Sequence, residues 1–87
     1  MNKDIFNQLQ ELLALATGHS PAEILPGSHL EADLGINMEE DFPRLLAVIN
    51  QDFEIELDMM TVLDELEEAE DTVEQLAKLV EEEVELG

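Results

Sequence analysis

The stretch Ser28-His29-Leu30-Glu31-Ala32-Asp33-Leu34-Gly35-Ile36, followed after Asn37 by a segment carrying Phe42, Leu45, Leu46, Ile49, Phe53 and Ile55, decides how the chain is read. The second segment places its apolar residues three and four apart, as on one buried face of a helix. The first has no period: only Leu30 and Leu34 anchor it, and Pro26-Gly27 opens it as a loop. A connection this long is uncommon in a small domain and is often functional. The helix is expected from about Glu39 to Phe53. Asn37 can cap it, with Glu40 three residues on, and Asp41 is a rival cap because Pro43 prefers the first turn.

Upstream, Ile5, Phe6, Leu9, Leu12, Leu13 and Ala16 mark one face of a helix from Asp4 to Thr17, and Gly18 is a plausible stop. Ser20-Pro21-Ala22-Glu23 can open one short helical turn ending near Leu25, with Ser20 as cap and Glu23 closing a capping box. Downstream, Met59, Val62, Leu63 and Leu66 predict a third helix from about Asp58 to Glu68. Asp71 or Thr72 can cap a last helix to about Glu85, with Val73, Leu76, Ala77, Val80 and Val84 inside. No strand pair, internal repeat or flexible linker is evident.

With 87 residues the chain fits one domain, spanning 1–87, with a small core. The absence of cysteine excludes disulfides, thiolate metal sites and a thiol nucleophile. The start Met1-Asn2-Lys3-Asp4 lacks the basic-then-apolar order of a leader, and no apolar run approaches the ~20 residues that span a bilayer. A cytoplasmic location is expected. The formal net charge is −20, and residues 51–87 hold 15 of the 23 acids. Such a field repels phosphate backbones and anionic lipid, so neither nucleic acid nor membrane is expected as a partner. It attracts basic protein surfaces and strains the compact state by self-repulsion. Composition this acidic can signal disorder. The 45% hydrophobic content, recurring with helical period, favours a packed domain.

Read as Ser28-x-Leu30-x-x-Asp33-Leu34-Gly35-Ile36 and then Leu45-Leu46-x-x-Ile49-x-x-x-Phe53-x-Ile55, the central block resembles that of acyl carrier proteins, and the flanking helices match in number and order. The resemblance implies an all-α, acyl-carrier-protein-like four-helix bundle: three longer helices, a short third helix and a long loop after the first. In that family a serine at the start of the second helix carries 4′-phosphopantetheine. Counting forward from Asp33-Leu34-Gly35 puts Met38 at that position, and counting back from Phe53 puts Glu39 there. Neither has a hydroxyl, and no serine or threonine lies between His29 and Met60. Asn37 or Met38 replaces the family's aspartate. No cofactor is therefore expected, and 4′-phosphopantetheine enters only if an atypical residue such as Ser28 or Thr61 is modified.

The acidic start of the second helix docks on basic patches of partner enzymes in the resembled family, which marks Asn37, Glu39, Glu40, Asp41 and Arg44 as candidate docking residues. Glu39-Glu40-Asp41 also has a structural reading, since carboxylates there oppose the helix dipole. Arg44 reads most simply as an i, i+4 partner of Glu40. Ser20 reads as a cap and Ser28 as the family's own loop serine. His19 and His29 sit on separate loops without cysteines or a His-Glu-x-x-His helix to organise a metal, so they read as surface or loop-packing residues. The clusters Asp64–Asp71 and Glu81–Glu85 offer oxygen ligands but lack an alternating calcium-loop pattern, and read as solvated helix faces. Met59 and Met60 fill core or line a flexible groove between the second and third helices.

The function expected is that of an acidic carrier-like domain, not an enzyme, acting as a monomer by noncovalent docking to a basic partner protein. Fatty-acid, polyketide or cell-envelope lipid metabolism are the settings the resemblance implies. A carrier modified at an atypical hydroxyl, and an acidic regulator that mimics a polyanion, are the alternatives.

Overall fold

A computed structural model describes residues 3–86, so Met1 and Asn2 of the leader reading lie outside the described residues. The chain runs through α1 (Lys3–Thr17), a 3-10 turn (Pro21–Glu23), α2 (Phe42–Phe53), α3 (Met59–Glu68) and α4 (Val73–Leu86). The Cα radius of gyration is 11.5 Å. This is close to the roughly 12 Å expected of a folded chain this long. Helix α1 packs against α4, α2 and the 3-10 turn, and α3 packs against α4. Among the described residues no helix is long and apolar enough to cross a membrane.

Helical periodicity places most of the core. Ile5, Leu9, Leu12 and Leu13 of α1 are buried, as are Phe42, Leu45, Leu46 and Ile49 of α2, Val62 and Leu66 of α3, and Val73, Leu76, Ala77 and Val80 of α4. Phe6, Phe53, Met59 and Leu63 are half-buried against them. Three expectations fail: Met60 is 68% exposed and fills no core, Ala16 of α1 is exposed while Ala14 is buried, and Val84 of α4 is 36% exposed while Leu79 is buried. In both helices the buried stripe turns with the packing of α1 on α4, which a local pattern does not report.

The helix ends follow capping chemistry. Gly18 sits in the left-handed region at φ +79° and donates to Ala14 O at 2.9 Å, closing α1. At the 3-10 turn, Glu23 N donates to Ser20 O, while the Glu23 carboxylate accepts from Ser20 N at 3.2 Å and Ser20 Oγ at 3.1 Å. The Gln10 side chain donates to Pro21 O and Ile24 O, both at 2.8 Å, and holds this turn on α1. Asp58 caps α3 by accepting from Thr61 N at 3.1 Å. Of the two candidate caps for α4 it is Thr72 that acts, its Oγ1 accepting from Gln75 N at 3.2 Å.

The long loop is held by the start of α4. A helix begins with amides that have no partner in the helix. Here Val73 N donates to Ser28 O at 3.0 Å and Glu74 N to Pro26 O at 2.9 Å. Leu30 N answers by donating to Asp71 O at 2.7 Å, so that His29 and Thr72 form an isolated antiparallel bridge, a pairing absent from the sequence reading. Ile24, Leu30, Leu34 and Ile36 are all buried and fix the loop to the core.

Candidate docking cleft

Asp33-Leu34-Gly35 has a local physical job. Asp33 accepts from His29 N at 2.7 Å, Leu34 is buried, and Gly35 at φ +74° ends the turn with Ile36 N donating to Leu30 O at 2.9 Å. The chain then enters a capped turn before α2. The Asn37 side chain accepts from Glu39 N and Glu40 N, both at 2.9 Å, and Asp41 accepts in return from Asn37 N at 3.2 Å. Of the two candidate caps only Asn37 acts through its side chain, on the turn 38–41; Asp41 directly precedes α2 but makes no side-chain cap bond to it, its carboxylate being turned back to Asn37 N. The regular helix starts at Phe42, three residues later than expected, because Pro43 suits a first turn and has no amide for an internal bond.

That turn forms one wall of an open cleft of about 1040 Å³ whose other wall is α3 and the link to α4. The half-buried Met38 and Leu63 supply most of its apolar surface, over the buried Ile36 and Leu66, and Glu31, Glu39, Glu67, Glu70 and Asp71 supply its acids. His29 is the one lining group that can carry positive charge. Its Nδ1 lies 2.8 Å from Asp71 Oδ1, while Asp71 Oδ2 accepts from Glu31 N at 3.2 Å. The Asp71 hydrogen bond raises the His29 pKa above the ordinary histidine value, helped by the charges of Asp71, Asp33 and Glu70 and opposed by partial burial.

The expected docking residues are divided between two places. Asn37, Met38 and Glu39 line this cleft. Asp41 and Arg44 line a smaller one of about 400 Å³ with Thr17, Leu45 and Val48, and Glu40 lines neither. Asn37, Glu39, Glu40, Asp41 and Arg44 are all exposed, whereas Met38 is half-buried against the core. Among the described residues no ion pair joins Arg44 to Glu40, which corrects the expected i, i+4 pair. The reason is geometric: Glu40 precedes α2, so the two do not lie one turn apart on a helix face.

His29, Asp71, Glu67 and Glu70 were not among the expected docking residues. Asp71 had a visible signal, being a cap candidate that is not needed as one, but its partner lies 42 positions away. His19 stays a surface residue, its Nδ1 3.5 Å from Glu23 Oε2. Among the described residues no three histidine or carboxylate side chains converge as a metal site. Comparison of the sequence with models of known protein families and with characterised proteins finds no match.

Proposed function

We propose that this chain is an acyl-carrier-protein-like domain that docks noncovalently on a basic, partly apolar surface of a partner protein and does not carry 4′-phosphopantetheine where carriers do. The observation carrying this reading is the chemistry at the aligned position. Met38 offers a half-buried thioether and Glu39 a carboxylate, and a phosphodiester attachment needs a hydroxyl oxygen as nucleophile. The residues present therefore do not fit the group. The nearby hydroxyls are otherwise engaged. Ser28 is buried and its Oγ accepts from Leu25 N at 3.1 Å, while Thr61 Oγ1 donates to the Asp58 carboxylate at 3.1 Å.

Docking is supported by the joining of acids to apolar surface in one cleft. Glu39, on the cleft, and Glu40, next to it in the chain, stand on a turn whose backbone Asn37 already orders, so less backbone entropy is lost when a basic partner binds. The half-buried Met38 and Leu63 offer apolar surface in the cleft that Glu39 lines. Partner enzymes of lipid or polyketide synthesis are the class the resemblance implies.

Two measurements test the proposal. Intact mass after incubation with coenzyme A and a broad-specificity phosphopantetheinyl transferase is expected to stay unchanged beside a modified carrier control. Binding of a lysine- and leucine-rich amphipathic peptide is expected to weaken with added salt and with E39K/E40K. A phosphopantetheine increment, or binding indifferent to both salt and charge reversal, overturns it. Displacement of nucleic acid from a basic protein would favour the polyanion mimic instead.

A further inference from the structure

The two walls of the cleft are joined through His29 and Asp71. His29 belongs to the loop that leads, through the Ile36 N to Leu30 O bond, into the Gly35–Glu39 wall. Asp71 ends the segment that continues α3, the opposite wall. Besides the 2.8 Å contact between the side chains, Leu30 N to Asp71 O, Glu31 N to Asp71 Oδ2 and Val73 N to Ser28 O tie the same two segments.

We propose that His29 and Asp71 form a proton-operated clasp, closed while His29 is protonated and slackened when it loses the proton, so that the acidic walls move apart. The charges facing His29 set the direction. Asp71 and Glu70 come from the α3–α4 link, Asp33 and Glu31 from its own loop, and Glu39 and Glu67 from the cleft walls. Protonated His29 is the one lining cation among them, and its hydrogen bond to Asp71 is charge-assisted. On deprotonation that bond becomes weaker and the carboxylates of the two walls repel one another without a neutralising charge. A histidine whose folded pKa is raised contributes stability that is complete below its unfolded value, near 6.5, and is lost as pH rises through the folded value. The cleft is therefore tighter and less negative at mildly acidic pH, and wider and more negative above neutrality. Both changes favour a basic occupant at the higher pH. The link to docking rests on the noncovalent reading of this same cleft, whereas the clasp is a property of the free protein.

The test follows the free protein by NMR from about pH 5.5 to 8.5, the range that brackets a histidine titration. The His29 ring signals, the methyl signals of Met38, Leu63 and Leu66, and amide exchange at Leu30 and Val73, corrected for intrinsic pH dependence, are recorded together. The methyl shifts and a severalfold loss of protection are expected to share the His29 midpoint, to vanish in H29Q and to persist in H19Q. Cleft signals that ignore the His29 midpoint, or that still titrate in H29Q, overturn the clasp. Equal loss of protection at Leu9 and Leu76 also overturns it, because the whole fold is then loosening. Should H29Q not fold, comparison of the cleft midpoint with the separate His19 and His29 midpoints in the unaltered protein decides. The basic peptide probe is then expected to bind several-fold more tightly at the upper pH. Binding at equal strength at both ends overturns gating alone, and binding at neither end overturns docking while leaving the clasp intact.

Discussion

Phe42, Leu30 and Ile24 have no exposed surface, and they are the side chains that join α2 and the long loop to the core. Replacing Phe42 by alanine removes a whole ring from a small core, and a loss of about 3–5 kcal/mol in urea unfolding is expected. Gly35 works through its backbone. A Cβ built there meets nothing within 4 Å, so the cost of G35A comes from the left-handed φ of +74° alone. A loss of about 1 kcal/mol is expected, with the same urea experiment as the check. Most of the buried leucines were readable because each reports its own helix face, whereas Ala14 and Leu79 were not. The role of Asp71 was not, since a carboxylate before a helix has one local explanation as a cap and the competing partner, His29, is remote in sequence. Glu23 illustrates the opposite case. Its carboxyl is held below the ordinary glutamate value by Ser20's backbone amide, then by Ser20's hydroxyl and His19, all within four residues, and the capping-box pattern announced most of this. Its contribution is present above the ordinary glutamate pKa and is lost as pH falls through the lowered one.

At the scale of elements, the junction between α2 and α3 carries a feature the periodicity did not contain. Glu54 ends α2 at φ +57°, with Ile55 N donating to Asn50 O at 2.9 Å. This is the bond pattern of a helix stop that glycine ordinarily serves. The Asn50 side chain completes the corner, accepting from Leu57 N at 2.9 Å and donating to Leu57 O at 3.1 Å. A glutamate in this place bears a left-handed backbone and puts a negative charge at the negative end of a helix. E54G is expected to raise stability by about 0.5–1.5 kcal/mol, read as a higher urea midpoint at unchanged slope; a lower midpoint would mean that the side chain supports the corner. The existence, order and approximate limits of α1, α3 and α4 were legible in the sequence, as was the short turn after Ser20. The start of α2 was legible only as a choice of caps, because Asn37 and Asp41 are each able to begin a turn; Asn37 does so, while the Asp41 carboxylate binds back to Asn37 N.

Across the whole molecule the net charge of −20 on a globule about 30 × 26 × 22 Å acts against folding, since the unfolded chain spreads the same charges further apart. Sodium chloride raised from about 0.02 to 0.3 M shortens the screening length severalfold and is expected to raise the thermal midpoint by several degrees at constant pH. A midpoint that is flat or falling with salt would mean that attractive pairs outweigh the repulsion. What the sequence alone determined is the part that short-range chemistry controls: an all-helical chain, four periodic helices, most caps, most of the buried faces, and the lack of a hydroxyl at Met38 and Glu39. Tertiary structure decided what depends on residues far apart in the chain. It turned the buried stripes of α1 and α4 toward Ala14 and Leu79, and it laid Pro26 and Ser28 on the first amides of α4. It also divided the expected docking residues between two clefts and brought His29 to Asp71. Helix period and capping involve neighbours within a turn or two, so a linear pattern records them. A cleft and a clasp exist only where separate segments meet, and no spacing along the chain encodes that meeting.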